Sequence, residues 1–479
     1  MRRTLLALST VISLAGQTAV AQSTVFDLVI TGGRVIDPET RLDAVRSIGV
    51  RGGKVIAISA GALTGKRTID AKGLVVAPGF IDLHAHGQDD ENYRIFAMDG
   101  VTTALELEVG TGDVPKFYAD RAGKALINFG ASAGHIPARI AVMKDPGGFL
   151  PIAGGGRDAA TPEQIAEIKH LVDAGLAAGA LGVGFGLQYT PGATKYEVLE
   201  MFRTAAKYHA PAFVHTRSWG TTDPGSAVES YMEVIAASAI TGAPLHIVHL
   251  NSSSLESTPK TLAMVAEARA HGLDVTAEAY PYVAGLTEIS SPLLDRFVGG
   301  PDSMFAKLML VSTGERLTRE TFAAKRTPGA MVILFLNTPE MEAMAMTSPL
   351  TAIASDGGLR QGKGHPRTAG TSARTLGYYV RETRQITLMD AIKKLALMPA
   401  ERLEKLAPGF RNKGRIKVGA DADLTVFDPA TVIDKSTYQQ PGLPSVGFRF
   451  VVVNGVPVVA DGALVEGIYP GRPARAPVR

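Results

Sequence analysis

The chain has 479 residues, with 49 Lys and Arg against 46 Asp and Glu, ten His and no Cys. Without cysteine there are no disulfides and no thiolate chemistry, so any metal site must be built from His, Asp, Glu, Lys or carbonyl oxygens. Arg2 and Arg3 account for two of the three net positive charges, leaving a nearly neutral remainder that suits a small, roughly neutral molecule better than nucleic acid or acidic lipid.

Those two arginines precede an apolar stretch from about Leu5 to Ala15 and the small-residue sequence Ala19-Val20-Ala21, the pattern of a secretory signal peptide over residues 1–21. The stretch is shorter than the roughly 20 residues that cross a bilayer, so no stable membrane anchor is expected. The mature protein should be periplasmic or secreted. Residues 22–77 read as short strands with paired glycines at Gly32-Gly33 and Gly52-Gly53. From 78 to 412 the pattern changes to alternating strand and helix, clearest from the helix EVLEMFRTAAKYHA through the strands PAFVHT, PLHIVHL and LDVTAEAYP. Such units form a parallel sheet with right-handed crossovers, and about eight of them close into a (β/α)₈ TIM-like barrel, an α/β fold. Residues 288–345 interrupt this rhythm with SPLLDRFVG, FAAKRTPGAMVILFL and TPEMEAMAMT, and are expected to form an inserted lid or small subdomain on the catalytic face. Residues 413–479 return to strands and hairpins around Asn454-Gly455, with a Pro-rich tail from about Tyr469. The two chain ends should therefore pair into one small β-sandwich.

Active residues of a barrel lie at the carboxyl ends of its strands. GFIDLHAHG puts His84 and His86 two residues apart at the end of the first barrel strand, directed to one side as two ligands of one ion must be. His215 ends PAFVHT, His249 ends PLHIVHL, and Asp356 follows the apolar PLTAIAS. Imidazoles and a carboxylate converging in this way point to a divalent-metal site. Zinc is the expected ion, one or two per chain, although such donors also accept manganese, cobalt, nickel or iron. Two ions would need an anionic bridge, for which VTTALELEVG offers Glu106 and Glu108, both directed into the barrel. Glu108 is favoured because it lies nearer the carboxyl end, with Glu106 the alternative. A metal would acidify water and polarise a carbonyl, and Asp356 would move the proton, unless it only caps the helix after Gly357-Gly358. His246 is offset by three from His249 and is expected on the opposite face, against a helix. His170, His209 and His271 sit in or near helix carboxyl ends and read as structural.

At these motifs the chain resembles the amidohydrolase superfamily, and within it the N-acyl-D-amino-acid deacylase (D-aminoacylase) group. The resemblance covers nearly all of the mature chain and rests on HxH, GVTTALELE, GALGVGFGLQYTPG, PAFVHTRS, HIVHLNSS, AYPYVAG, ASDGG, GHPRTAGTSARTLGYYVRE, MPAERL and GRIKVGADADLTVFDP. It implies a β-sandwich with a barrel, zinc, and hydrolysis of an N-acylated D-amino acid to the free amino acid and a carboxylate. By position, His215 and His249 look like the tight-site ligands, His84 and His86 those of the first site, and Asp356 the catalytic acid/base. Tyr189, Tyr282, Arg374 and Arg367, with His365 nearby, are candidates for holding a small-molecule amide substrate, an arginine fork suiting an amino-acid carboxylate.

Three departures stand out. The bridging Cys of the group is replaced by a strand carrying Glu106 and Glu108; Leu250-Asn251 follows His249 where a lysine is common; and Leu286 stands where a hydroxyl residue is usual. A weakened carboxylate pocket would suit a dipeptide or another N-acyl amide. Ring aminohydrolysis would place a Glu beside a strand-end His, and neither His215 nor His249 has one. An inactive binding barrel would have lost ligands that are all in place here.

Overall fold

The computed structural model describes residues 25–479, so the expected signal peptide lies outside the described residues. Phe26–Asp37, Leu42–Arg51 and Lys54–Ser59 form an antiparallel meander, and its second turn uses Gly52 and Gly53 at φ 58° and 76°. That left-handed pair matches the twist of a two-residue hairpin. Val75–Pro78 runs parallel to Phe26–Asp37 on one edge and antiparallel to Leu424–Phe427 on the other, with Val76 opposite Val426. This single strand joins the chain ends. Phe448–Val453, Val456–Ala460 and Ala463–Leu464 complete a mixed sheet of nine strands among the described residues, with Gly65–Asp70 beside the first half of Phe26–Asp37. Val55 and Val452, near opposite ends of this strand order, share one core with Ile30, Ile48, Val76 and Leu424. The sheet therefore curls over itself. Its two hairpin tips meet: a Cβ on Gly53 would lie 2.8 Å from the Asn454 carbonyl oxygen, so glycine is required there for space as well as for φ.

Eight parallel strands among the described residues form the barrel: β1 (Phe80–Asp82), β2 (Val101–Thr111), β3 (Asn128–Gly134), β4 (Val183–Gly186), β5 (Ala212–His215), β6 (Leu245–Ile247), β7 (Val275–Ala279) and β8 (Thr351–Ile353). Their residues are almost continuously buried, as expected where a parallel sheet is covered on both faces. Asp82 ties β8 back to β1, its Oδ1 accepting the backbone N–H groups of His84 and Ser355, each at 3.0 Å. Beside it, the His86 N–H donates to the Gly357 carbonyl at 2.7 Å.

The interruption between β7 and β8 is a three-stranded antiparallel sheet of Gly285–Glu288, Met331–Leu334 and Leu308–Leu310, with short helical turns. Leu293, Phe297, Phe305 and Phe322 share a core with Val109, Ile136, Leu150 and Tyr189 from the barrel loops, so the insertion is a packed roof over the carboxyl ends. Its carboxyl boundary differs from the expected residue 345. The helix Pro339–Thr347 belongs to the barrel ring, because Ala345 and Met346 are buried in the main barrel core. The tail also departs from the expected β domain: Ala474 N–H donates to the Phe129 carbonyl and Phe129 N–H to the Arg472 carbonyl, placing the end of the chain along β3. Of the three histidines read as helix-terminal, His209 and His271 follow helix ends, but His170 lies mid-helix in Pro162–Ala177 and is exposed.

Candidate metal centre

Glu108, on β2, is the centre of the site. Its Oε2 lies 3.0 Å from His84 Nε2 and 3.3 Å from His86 Nε2, while its Oε1 lies 2.7 Å from His215 Nδ1 and 3.5 Å from His249 Nε2. His84, His86, Glu108 and Asp356 form one donor group, and Glu108, His215 and His249 a second that shares the same carboxylate. Burial raises the Glu108 carboxyl; only with protons on the nitrogens that face it do His84, His215 and His249 hold it well below the usual carboxylate range.

The imidazoles are aimed by groups behind them. His84 Nδ1 donates to Glu278 Oε1 at 2.7 Å, and His86 Nδ1 to Glu106 Oε2 at 2.7 Å. In the neutral rings the two Nε2 atoms are then bare, yet they face each other at 3.2 Å. His215 repeats the pattern: Nε2 donates to Gln188 Oε1 at 2.7 Å, leaving a bare Nδ1 3.1 Å from His249 Nε2. Lone pairs converging on a carboxylate in a buried space call for cations between them, and this donor set fits a divalent ion.

Of the two acids on β2, Glu108 is the one that belongs to both donor groups. Glu106 turns toward His86 Nδ1 and the backbone N–H groups of Val109 and Gly110. Asp356 does not cap a helix. Its Oδ2 lies 2.9 Å from Arg367 Nη2 and its Oδ1 3.3 Å from His86 Nε2. Burial would raise this carboxyl, but the Arg367 guanidinium holds it well below the ordinary range.

His246 is not packed against a helix as expected. Its Nε2 lies 2.9 Å from Glu278 Oε2, in the layer beneath His84. The alternation argument fails because the chain leaves strand geometry after Ile247, with His249 at φ 33°.

Similarity to known proteins identifies the family. Residues 67–293 match the family described as the amidohydrolase family. The chain is 31% identical over 90% of its length to N-acyl-D-glutamate deacylase of Alcaligenes xylosoxydans xylosoxydans, covering 93% of that protein. It is 29% identical to D-aminoacylase of the same organism, over 93% of this chain and 97% of that one. The chain belongs to the amidohydrolase family. Within the family it is similar in structure to N-acyl-D-glutamate deacylase from Bordetella bronchiseptica, complexed with zinc and a phosphonate inhibitor, with a TM-score of 0.80 and 29% identity over 95% of this chain and all of that one. A D-aminoacylase structure gives 0.78 at 28% identity, over 94% of this chain and all of that one.

Two spaces adjoin this amidohydrolase site, both bordered by Asp356, Tyr189 and Leu286. One is a slot of about 50 Å³ between His215, His249 and the insertion; the other is a cavity of about 610 Å³ reaching past His86 and Glu106 to Arg360 and Lys363. Tyr189 packs edge-on to His215 with ring centroids 4.9 Å apart. Arg367 is 1% exposed and borders the larger cavity, with Nε and Nη1 unpartnered among the described residues. Tyr282 and Arg374, expected as substrate groups, line neither space. Tyr282 donates to Asp434 Oδ2 at 3.1 Å, and Arg374 donates to the Pro281 carbonyl at 2.7 Å with its guanidinium over the rings of Tyr282 and Tyr378. They join the barrel rim to the carboxyl-terminal segment. Asn251 is likewise turned away, clasping the backbone of Tyr280 through its amide.

Proposed function

We propose that the protein is an exported, zinc-dependent N-acyl-D-amino-acid deacylase, which hydrolyses the amide to a free amino acid and a carboxylate. The observation that carries this reading is the Glu108 carboxylate between two pairs of bare imidazole nitrogens with Asp356 on the open side. His84, His86, Glu108, His215 and His249 would hold the metal, which supplies a Lewis acid for the scissile carbonyl and acidifies water at neutral pH. Asp356, ionised beside Arg367, accepts the proton from water and returns it to the departing nitrogen. Arg367 offers an unpartnered nitrogen to the substrate carboxylate, and Tyr189 walls the reacting group. The insertion excludes water from above. The relatives named for N-acyl-D-glutamate and for D-aminoacyl substrates support the D configuration. Export rests on the leader pattern of residues 1–21; among the described residues no helix is long and apolar enough to cross a membrane.

The test is metal content of the purified protein together with amino-acid release from paired N-acetyl-D and N-acetyl-L amino acids and from dipeptides. Bound zinc with release confined to the D series supports the reading. Cleavage of dipeptides alone would replace it with a peptidase. Amino-terminal sequencing of protein recovered outside the cytoplasm tests the leader, with cleavage expected after Ala21.

A further inference from the structure

The two histidine pairs offer an ion the same donors and differ in what stands behind them. Each pair presents two bare imidazole nitrogens and one oxygen of Glu108: Oε2 for His84 and His86, Oε1 for His215 and His249. Behind the first pair both partners are carboxylates, Glu278 on His84 Nδ1 and Glu106 on His86 Nδ1, each at 2.7 Å. Behind the second pair both are neutral. His215 donates to the Gln188 amide oxygen at 2.7 Å, and His249 Nδ1 donates at 2.9 Å to the Ser253 hydroxyl, whose own proton goes to the Val248 carbonyl. Asp356 Oδ1 adds a further negative charge beside the first pair, 3.4 Å from His84 Nε2 and 3.3 Å from His86 Nε2. Glu278 is itself held from below, its Oε2 accepting from His246 Nε2 at 2.9 Å.

We infer that the position at His84, His86 and Glu108 holds the tighter ion and fills first, and that the position at Glu108, His215 and His249 fills second and exchanges. This is the reverse of the order that resemblance to the D-aminoacylase group implies. A carboxylate accepting the far N–H of an imidazole draws that proton toward itself and strengthens the lone pair on the other nitrogen, which a neutral amide or hydroxyl does much less. Loss of such a partner lowers metal affinity about 10–100-fold, so two anionic against two neutral partners separate the positions by at least about tenfold. The bridge does not offset the difference, because Glu108 gives one oxygen to each pair. Two dications on one carboxylate repel, so occupation of either position weakens the other and the groups behind the rings decide which comes first. Glu106, Glu278 and Gln188 are in this view positioning residues that grade the two positions. The inference rests on the divalent ion of the proposed function and not on its substrate.

The experiment uses the full chain, stripped of metal and titrated with zinc alone against a competing chelator. Bound zinc is counted by elemental analysis and folding is followed by circular dichroism. Expected for the parent protein is a first zinc at least about tenfold tighter than a second. His249→Ala should keep the first zinc at parental affinity, whereas His86→Ala should lose it; where the parent binds a single zinc, the same pair of variants decides which position holds it. Two further variants leave every ligand in place. Glu106→Gln should weaken the first step about tenfold or more, and Gln188→Glu should tighten the second by a similar factor. These two decide the matter should His86→Ala misfold. A tight zinc that survives in His86→Ala and disappears in His249→Ala overturns the inference, and so do unchanged steps in both Glu106→Gln and Gln188→Glu. A chain that binds no zinc overturns it together with the metal dependence of the proposed function. Amide cleavage is not read, so a substrate other than an N-acyl-D-amino acid would overturn the deacylase reading and leave this result standing.

Discussion

Glu278 Oε1 stands 2.7 Å from His84 Nδ1, and both residues are essentially inaccessible to solvent. The carboxylate fixes the ring tautomer so that His84 presents a bare Nε2 to Glu108. Burial would raise the Glu278 carboxyl, yet its hydrogen bonds from His246 and His84 lower it to about 2. The Glu278→Gln substitution should lower metal affinity by roughly 10–100-fold while leaving the fold intact. Competition with a chelator, read by metal analysis and circular dichroism, checks this; unchanged metal retention would remove Glu278 from the support of the site.

Asp356 is the proton carrier in the proposed reaction. Asp356→Asn should keep bound metal and reduce kcat about 10²–10⁴-fold, the range of general acid–base contributions. Steady-state kinetics beside metal content separates this from loss of the ion, and a variant retaining full kcat would refute the assignment.

Arg367 is buried with Nη2 on Asp356 and with Nε and Nη1 unpartnered among the described residues, a planar set of donors that a lysine cannot reproduce. Arg367→Lys should raise KM for an N-acyl amino acid about 10–100-fold, the loss expected for a charge-assisted hydrogen bond. An N-acyl amine without a carboxylate should be a poor substrate for the parent protein and lose much less on substitution.

Away from the site, Glu197 is fully buried and receives Arg139 Nη1 at 2.6 Å and His135 Nε2 at 2.8 Å. Burial would raise its carboxyl, but His135 and Arg139 lower it from 4.5 to about 2. The unfolded chain therefore binds the proton first, so this contribution is complete above about pH 4.5 and disappears as pH falls through about 2. Glu197→Gln should destabilise the protein by about 3–5 kcal/mol near pH 7, because Arg139 is left buried with a neutral partner. It should also flatten the acid side of the denaturation profile, measured as urea midpoints from pH 7 to 2.

Much of the site was legible because barrel geometry turns strand ends into a list of inward-facing groups. His84, His86, His215, His249 and Asp356 all end or closely follow apolar strands, and Glu108 is nearer the carboxyl end of β2 than Glu106. Glu278 carried the same signal in LDVTAEAYP, an acid near the end of an otherwise apolar strand. Gln188 carried none, because a neutral amide in a loop has no sequence signature until its neighbours are known. Where Tyr282 and Arg374 point was not legible for a related reason: a single residue, Pro281, separates Tyr280, a slot wall, from Tyr282, which faces Asp434 on a distant segment.

The sequence by itself determined the alternation of strand and helix, the β-rich ends, the absence of thiolate ligands and the candidate histidines and acids for a metal, since periodicity and residue chemistry are local properties. Only the tertiary structure decided that Glu108 and not Glu106 lies between the histidine pairs, that His246 sits in the layer below His84, that the insertion is a packed roof, and that Arg367 and not Arg374 borders the larger cavity. Those outcomes depend on where the chain leaves strand geometry and on which distant segments pack against it, and neither is encoded in the spacing of residues along a single strand.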